Sequence, residues 1–206
     1  MTPALVTIAR METRDFSPAL EAAALLNTFE KPWCIAGGWA IDMFVGRQTR
    51  QHQDLEVAVL RDHLIDIRRH LATWKFKYII NQTACPWDGN QYLMLPIHEL
   101  HARGPGKQQL EIFLQESDGI DWQYRRDLGV RLNLSKWTVA GPMGVPLLNP
   151  LLVLLYKSRH SRPKDELDFR VVMESGKLSQ NDLNWLIDAL TRSAPGHHWI
   201  RQMSHA

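Results

Sequence analysis

The sequence has few cysteines, and they are not arranged as metal ligands. Its 206 residues include only Cys34 and Cys85, and neither belongs to a C-x-x-C pair or another spacing typical of zinc sites. We therefore expect no structural zinc. The low cysteine content is typical of a protein from a reducing cytoplasm, although a disulfide between the two cysteines stays open at this stage.

Long hydrophobic runs and a strong excess of one charge are also missing. No apolar stretch reaches the roughly 20 residues of a membrane-spanning helix, and the first residues lack the apolar core of a secretion signal. The formal net charge is +2, far below the basic balance of a dedicated nucleic-acid-binding domain. We expect a soluble cytoplasmic protein without a nucleic-acid partner; the sequence leaves its oligomeric state open.

The chain does have enough apolar content for a sizeable core. Hydrophobic residues make up 45% of the sequence, and eight of them are tryptophans. The length suits one ordinary domain or two small ones. Most of the tryptophans should therefore be buried, with some available to line a ligand cleft.

Two carboxylates stand at the start of a β-prone run. In the stretch DLEVAVL, alternation places Asp54, Glu56 and Ala58 on one face of a strand and the apolar residues between them on the other. Two carboxylates on one face repel each other unless a cation lies between them. Mg²⁺ prefers such oxygen ligands and often bridges to substrate phosphates. A surface strand with two solvated acids is the alternative, because D-x-E is short and common.

A glycine pair and a basic turn precede these acids. Gly37 and Gly38 follow an apolar run and open a segment typical of a helix, where backbone N–H groups approach a phosphate closely. Gly46 is a natural end for that helix. Arg47, Arg50 and His52 follow and are candidate phosphate ligands. An ordinary strand-to-helix turn is the alternative for the glycine pair, and solvated charges are the alternative for the three basic residues.

A third acid lies on a later β-prone run. In QLEIFL, Leu110, Ile112 and Leu114 should face the core and Glu111 the opposite side. A carboxylate in that position fits a third metal ligand or a general base. An exposed strand residue is the alternative interpretation.

Together these features resemble a known superfamily. Gly-Gly, fifteen residues, D-x-E and a later apolar-acid-apolar strand resemble the DNA polymerase β-like nucleotidyltransferases. The block GGWAID…GRxTRxHxD is similar to the branch of aminoglycoside 2″-adenylyltransferases and lincosamide nucleotidyltransferases. The resemblance extends over residues 33–169. It implies an α/β fold, with a small mixed sheet and flanking helices followed by a helical C-terminal region.

The resemblance also implies a reaction. A nucleoside monophosphate, AMP from ATP or that of another NTP, would pass to a hydroxyl of an aminoglycoside- or lincosamide-like molecule. Asp54, Glu56 and Glu111 would be catalytic and would bind one or two Mg²⁺ ions, while Gly37, Gly38, Arg47, Arg50 and His52 would bind the nucleotide. A second block, LLYKSRHSRPKDELDF, implies that Lys157 or Lys164 reaches the phosphates.

One departure keeps other functions open. Close relatives often carry D-x-D, whereas Glu56 stands at the second position here. Transfer to RNA or protein, as in toxin–antitoxin systems, and nucleotide binding without turnover are the alternatives. His98 and His101 have the spacing of a metal pair on a helix, but the prolines and glycines on either side leave little room for a helix, so we assign no metal there.

Local patterns predict the elements and two domains. Helices are expected at 19–29, 62–71, 151–159, about 165–175 and 179–190. Strands are expected at 33–36, 57–60, 76–80, 91–95, 109–114 and 137–140. Loops are expected at 81–89 and 117–126, with a hairpin turn as the alternative for the first. The change from strand-like to helix-like runs predicts a nucleotidyltransferase domain at 1–145 and a helical domain at 146–206.

Overall fold

The computed structural model describes residues 16–204, which form a ten-stranded mixed sheet with seven α-helices. The strands are β1 (Trp33–Ile35), β2 (Glu56–Leu60), β3 (Lys75–Ile80), β4 (Thr83–Trp87), β5 (Glu99–Arg103), β6 (Gln109–Ser117), β7 (Asp121–Tyr124), β8 (Asp127–Asn133), β9 (Thr138–Ala140) and β10 (Pro146–Leu148). The helices are α1 (Ser17–Leu26), α2 (Gly37–Val45), α3 (Leu64–His70), α4 (Pro150–Lys157), α5 (Pro163–Glu174), α6 (Gln180–Ser193) and α7 (His198–Met203). None of the helices between residues 16 and 204 is long and apolar enough to cross a membrane.

The strand order places β2 in the middle of the sheet. The order is β4-β3-β5-β6-β2-β1-β10-β9, and the β7–β8 hairpin extends from β6. β2 runs parallel to β6 and antiparallel to β1. The predicted alternation is confirmed: Val57 and Val59 on β2, and Leu110, Ile112 and Leu114 on β6, are buried. The acids between them therefore project from the opposite face.

Helix boundaries follow the expected capping chemistry at several points. Gly46 ends α2 in the left-handed conformation, with φ of 93°. The Asn149 side chain accepts the N–H of Leu151 at the start of α4, and Pro150 occupies the first turn. Ser179 and Asp182 form the predicted capping box of α6. The start of α1 differs, since Phe16 rather than Ser17 is its capping residue.

The sequence interpretation was wrong in two stretches and too coarse in a third. Residues 91–95 lie outside every described strand; their apolar pattern reflects one buried anchor, Leu93. The stretch predicted as a loop at 117–126 contains β7, which pairs with β6 and β8. Residues 81–89 form a hairpin whose second arm is β4, and Pro86 is tolerated there because β4 is an edge strand.

The helices α4 to α7 follow the last strand and form the predicted helical C-terminal region. β10, which directly precedes them, pairs with β1 and therefore belongs to the sheet. α4 and α5 pack against α2, the helix that begins at the glycine pair. The division of the chain at residue 145 into two domains stays a prediction.

Candidate functional site

The site is built on two neighbouring parallel strands. Glu56 on β2 and Glu111 on β6 are registered partners, so their side chains project from the same face of the sheet. Asp54 lies two residues before Glu56, and the pairing of the two strands extends to the neighbouring Leu55, whose carbonyl accepts the N–H of Glu111. The three predicted carboxylates therefore lie near one another, at the end of the strand pair where β2 begins.

The glycine pair receives one of these carboxylates. Gly37 has φ of +59°, and a Cβ there would overlap the Glu56 carboxylate. Gly38, in the first turn of α2, has its backbone N–H close enough to favour the charged form of that carboxylate and to lower its pKa. The glycines thus allow the carboxylate to approach the N-terminus of α2, where the helix dipole favours negative charge.

The carboxylates disfavour one another's ionisation. Burial raises the pKa of Glu56, and the charge of Asp54 adds to that rise, although Lys157, the Gly38 N–H and Lys164 oppose it. Burial and the Asp54 charge likewise raise the pKa of Glu111 to about 7, with an opposing effect from His101. A divalent cation among these oxygens would relieve the repulsion, so the donor set fits a hard metal ion.

Glu111 also belongs to a tighter group of potential metal ligands that the sequence interpretation missed. Glu99, His101 and Glu111 each offer an atom within 4.8 Å of the others. His101 Nε2 lies 2.7 Å from Glu99 Oε1 and 3.6 Å from Glu111 Oε1. Strand β5 explains the proximity, because His101 is the registered partner of Glu111. Asp54 and Glu56 are not members of this group.

Arg50 and Lys157 converge on one buried acid. The Arg50 guanidinium binds Asp168 through two hydrogen bonds of 2.9 Å, and Lys157 Nζ lies 2.8 Å from the same carboxylate. The Asp168 side chain is completely buried. The ion pairs connect the turn before β2 to α4 and α5, and they hold Arg50 against Gly38, where a Cβ would clash with its guanidinium.

His52 is likewise held by a buried acid. Its Nε2 lies 2.5 Å from Asp42, which also accepts a 2.5 Å hydrogen bond from Thr49, and its ring packs on Trp39. The block W-A-I-D…T-R-x-H is therefore a packed network behind the glycine pair. Asp42 and Asp168 are supporting residues that the sequence interpretation missed, since one lies inside a helix and the other 118 residues from its partner.

The remaining predicted nucleotide ligands differ in position. Lys157 lines a cavity together with Glu56 and Gly37. Lys164 is exposed in the first turn of α5 and lines neither of the cavities described below. Arg47 is exposed beyond the C-terminal end of α2, about 15 Å along the helix axis from Gly37. The structure therefore does not bring Arg47 to the carboxylates.

The carboxylates line two cavities. The smaller, about 210 Å³, is lined by Gly37, Glu56, Phe113, Arg125, Arg126, Tyr156, Lys157 and Arg162, among others. The larger, about 1090 Å³, includes Asp54, His101 and Glu111 in its wall. Glu56 thus faces one cavity, and the other two acids face the second.

Arg125 is a further residue of the smaller cavity that the sequence interpretation missed. Its guanidinium lies over the Tyr156 ring at 4.7 Å, and its Nη1 is buried without a hydrogen-bond partner among the described residues. An unpaired buried donor is costly, so this atom is suited to an anionic or carbonyl ligand. Arg125 lies in the stretch predicted as a loop. The adjacent arginines Arg125 and Arg126 were the sequence feature that could have indicated an anion-binding position there.

The fold is that of nucleotidyltransferases. The lincosamide antibiotic adenylyltransferase LnuA with lincomycin bound aligns at a TM-score of 0.53 and 15% identity, over 79% of this chain and 97% of LnuA. ANT(2″)-Ia in complex with adenylyl-2″-tobramycin aligns at 0.58 and 14% identity, over 88% of this chain and 100% of the other. A solution structure of ANT(2″)-Ia gives 0.57 at 14% identity, over 94% and 97% of the two chains.

The sequence identifies the family. A family model described as aminoglycoside-2″-adenylyltransferase matches residues 19–141, more than half of the chain. The chain therefore belongs to this family of nucleotidyltransferases. No curated protein sequence is significantly similar to it.

Proposed function

We propose that this protein transfers AMP from ATP, or the monophosphate of another NTP, to a hydroxyl group of a small molecule in a Mg²⁺-dependent reaction. The observation that carries the proposal is that Glu56 lines one cavity while Asp54 and Glu111 line another. A transferase with two substrates requires a pocket for each beside its reaction centre, and the two cavities are the candidates for those pockets.

Asp54 and Glu56 are the proposed metal ligands, with Glu111 beside them. The raised pKa values of Glu56 and Glu111 support this role, because burial and the charge of Asp54 both disfavour their charged forms, and a cation would offset that effect. Mg²⁺ bound there would stabilise negative charge on the attacking and leaving oxygens of a phosphoryl transfer. Glu56 has the longer acidic side chain, and its carboxylate lies against Gly37 at the N-terminus of α2.

The smaller cavity is the proposed nucleotide site. Four cationic side chains line it, and two of them, Arg125 and Arg126, form no ion pair with a carboxylate among residues 16–204. Asp165 and Asp168 largely neutralise Lys157. Its ammonium group lies near Glu56 but is not free to pair with a phosphate. Phe113 and Tyr156 add aromatic surface for a base.

Glu111 is the proposed general base. It lines the larger cleft, and a carboxylate with a pKa of about 7 is matched to proton abstraction near neutral pH. The acceptor oxygen would form a bond to the α-phosphorus as the bond to the bridging oxygen breaks. Pyrophosphate leaves, and the hydroxyl proton passes to Glu111.

The test is transfer of label from α-³²P-ATP with Mg²⁺ to a panel of hydroxylated acceptors. The panel begins with lincomycin, which is bound in the similar LnuA structure, and tobramycin, whose adenylyl derivative is bound in that of ANT(2″)-Ia. Asp54→Asn should abolish transfer with the fold intact, whereas Asp188→Asn, an exposed acid on α6, should retain it. Unchanged transfer in Asp54→Asn would reject the proposal, and label found only in RNA or protein would replace it with those acceptors.

A further inference from the structure

One row of side chains crosses the sheet from the reaction centre to its far edge. Glu111 on β6, His101 on β5 and Lys77 on β3 are registered partners in turn, so they share one face. In the next row, Gln109 is paired with Arg103, and Arg103 with Lys75. Alternation along β3 and β5 therefore places Lys75, Lys77 and Arg103 on the face that carries Glu111.

These cations are exposed and close to the reaction centre. Adjacent strands lie about 4.8 Å apart, so Arg103 is one strand and Lys77 two strands, about 10 Å, from β6. Lys75, Lys77 and Arg103 are all solvent-exposed. Their extended side chains are long enough to lean toward a ligand held at Glu111.

The larger cleft has more positive than negative charge outside the reaction centre. Its wall includes five cationic side chains: Arg68, Lys75, Lys77, Arg103 and Lys107. The acids of its wall other than Asp54 and Glu111 are Glu21 and Asp88. None of the five cations lies within 4.0 Å of a carboxylate oxygen of residues 16–204. Several other arginines and lysines of these residues do form such ion pairs. Their charge is therefore available to a ligand.

We propose that the acceptor is an anionic small molecule, a hydroxylated compound that carries a phosphate or carboxylate group. This inference rests on the proposed function. The hydroxyl lies at Glu111 while the anionic group binds Lys77 and Arg103, within about 10 Å along the sheet face. A polycation placed there would meet Lys75, Lys77 and Arg103, none of which is paired with a carboxylate of residues 16–204. The family includes enzymes named for aminoglycosides, but the cleft of this chain favours the opposite charge.

The test is binding with the nucleotide cavity filled. The protein is saturated with Mg²⁺ and the ATP analogue that has a methylene group between the α- and β-phosphorus, and it is then titrated calorimetrically with glucose, glucose 6-phosphate and tobramycin. We expect glucose 6-phosphate to bind at least tenfold more tightly than glucose. Lys77→Glu combined with Arg103→Glu should remove that preference and strengthen tobramycin binding. The control is Lys136→Glu, the same charge change at an exposed position outside both cavities, which should leave the preference intact.

Several results would overturn the inference. Tighter binding of tobramycin than of glucose 6-phosphate by the wild type would do so, as would no preference over glucose. An unaffected preference in the double variant would also reject it. Weaker binding of the ATP analogue by that variant would assign these cations to the nucleotide instead.

Two further measurements are needed. One distinguishes a small molecule from RNA as the source of the phosphate group, and the other tests the proposed function by itself. A short oligoribonucleotide offers the same hydroxyl and phosphate chemistry; if it binds more tightly than glucose 6-phosphate through the same cations, the small-molecule assignment is wrong. Mg²⁺-dependent binding of the ATP analogue, and its loss in Asp54→Asn, test the proposed function without any acceptor. The two proposals can therefore fail separately.

Discussion

Glu56 and Glu111 lie side by side on parallel strands although 55 positions separate them in the chain. Their side chains share one face, and each has a pKa raised first by burial. The sheet thus holds two acidic groups together, and ionising both costs free energy that a bound cation would offset. The predictions below follow from that arrangement and from the residues that support it.

Gly37→Ala should damage the site more than the fold. Both Gly37 and Gly46 have positive φ, so alanine at either should cost about 1–2 kcal/mol of backbone strain. Only at Gly37 would the new Cβ displace the Glu56 carboxylate; nothing lies within 4 Å of a Cβ at Gly46. A displacement of about 1 Å at a reaction centre lowers kcat/KM by about 100-fold. Gly46→Ala is the matched control, measured by transfer rate and urea denaturation. Equal activity losses in the two variants would contradict this role for Gly37.

The Arg50–Asp168 ion pair should stabilise the fold. Arg50→Ala leaves a buried carboxylate with Lys157 as its remaining cationic partner, so we expect the free energy of unfolding to fall by about 2–4 kcal/mol. Arg192→Ala removes a similar two-point contact to Asp127 at the surface, where the arginine side chain is 57% exposed. The loss there should be much smaller, because exposed pairs contribute little. Urea denaturation of both variants checks the order, and a larger loss for Arg192→Ala would contradict it.

Activity should fall on the acidic side of neutrality. Burial and the charge of Asp54 raise the pKa of Glu111 to about 7 in the metal-free protein, and a general base must be deprotonated. At limiting Mg²⁺, kcat/KM should therefore rise with pH through about 7. Saturating Mg²⁺ should move this rise to lower pH, because a bound cation favours the ionised carboxylate over the neutral acid.

Substitution of Glu111 tests whether this residue causes the rise of kcat/KM with pH. Glu111→Gln should remove both the activity and its pH limb, whereas Glu174→Gln, at an exposed position ending α5, should keep both. The measurement is the pH profile of pyrophosphate release from pH 5.5 to 8.5. At limiting Mg²⁺, a wild-type profile independent of pH over that range would reject Glu111 as the base.

Local patterns were sufficient to predict the main strands of the site. The alternation around Glu56 and Glu111 predicted their face, since each lies on a strand with a regularly buried apolar side. The strand partners were not predictable in the same way. His101 reaches Glu111 only because β5 pairs with β6, a long-range choice that no short pattern encodes.

Two of the residues that the sequence interpretation assigned to the nucleotide also have buried acidic partners. Arg50 and His52 follow a glycine pair and precede the acids, a position typical of phosphate ligands. The structure pairs them with Asp168 and Asp42, which are completely buried. The buried state of those acids depends on how α2 and α5 pack, and a single sequence does not show that packing.

The position of the metal ion tests the account most directly. Crystals grown with Mn²⁺ and the α,β-methylene ATP analogue would locate the ion by its anomalous scattering. The account predicts a peak about 2.1 Å from carboxylate oxygens of Asp54 and Glu56. A peak held instead by Glu99, His101 and Glu111, with Asp54 and Glu56 uninvolved, would contradict it.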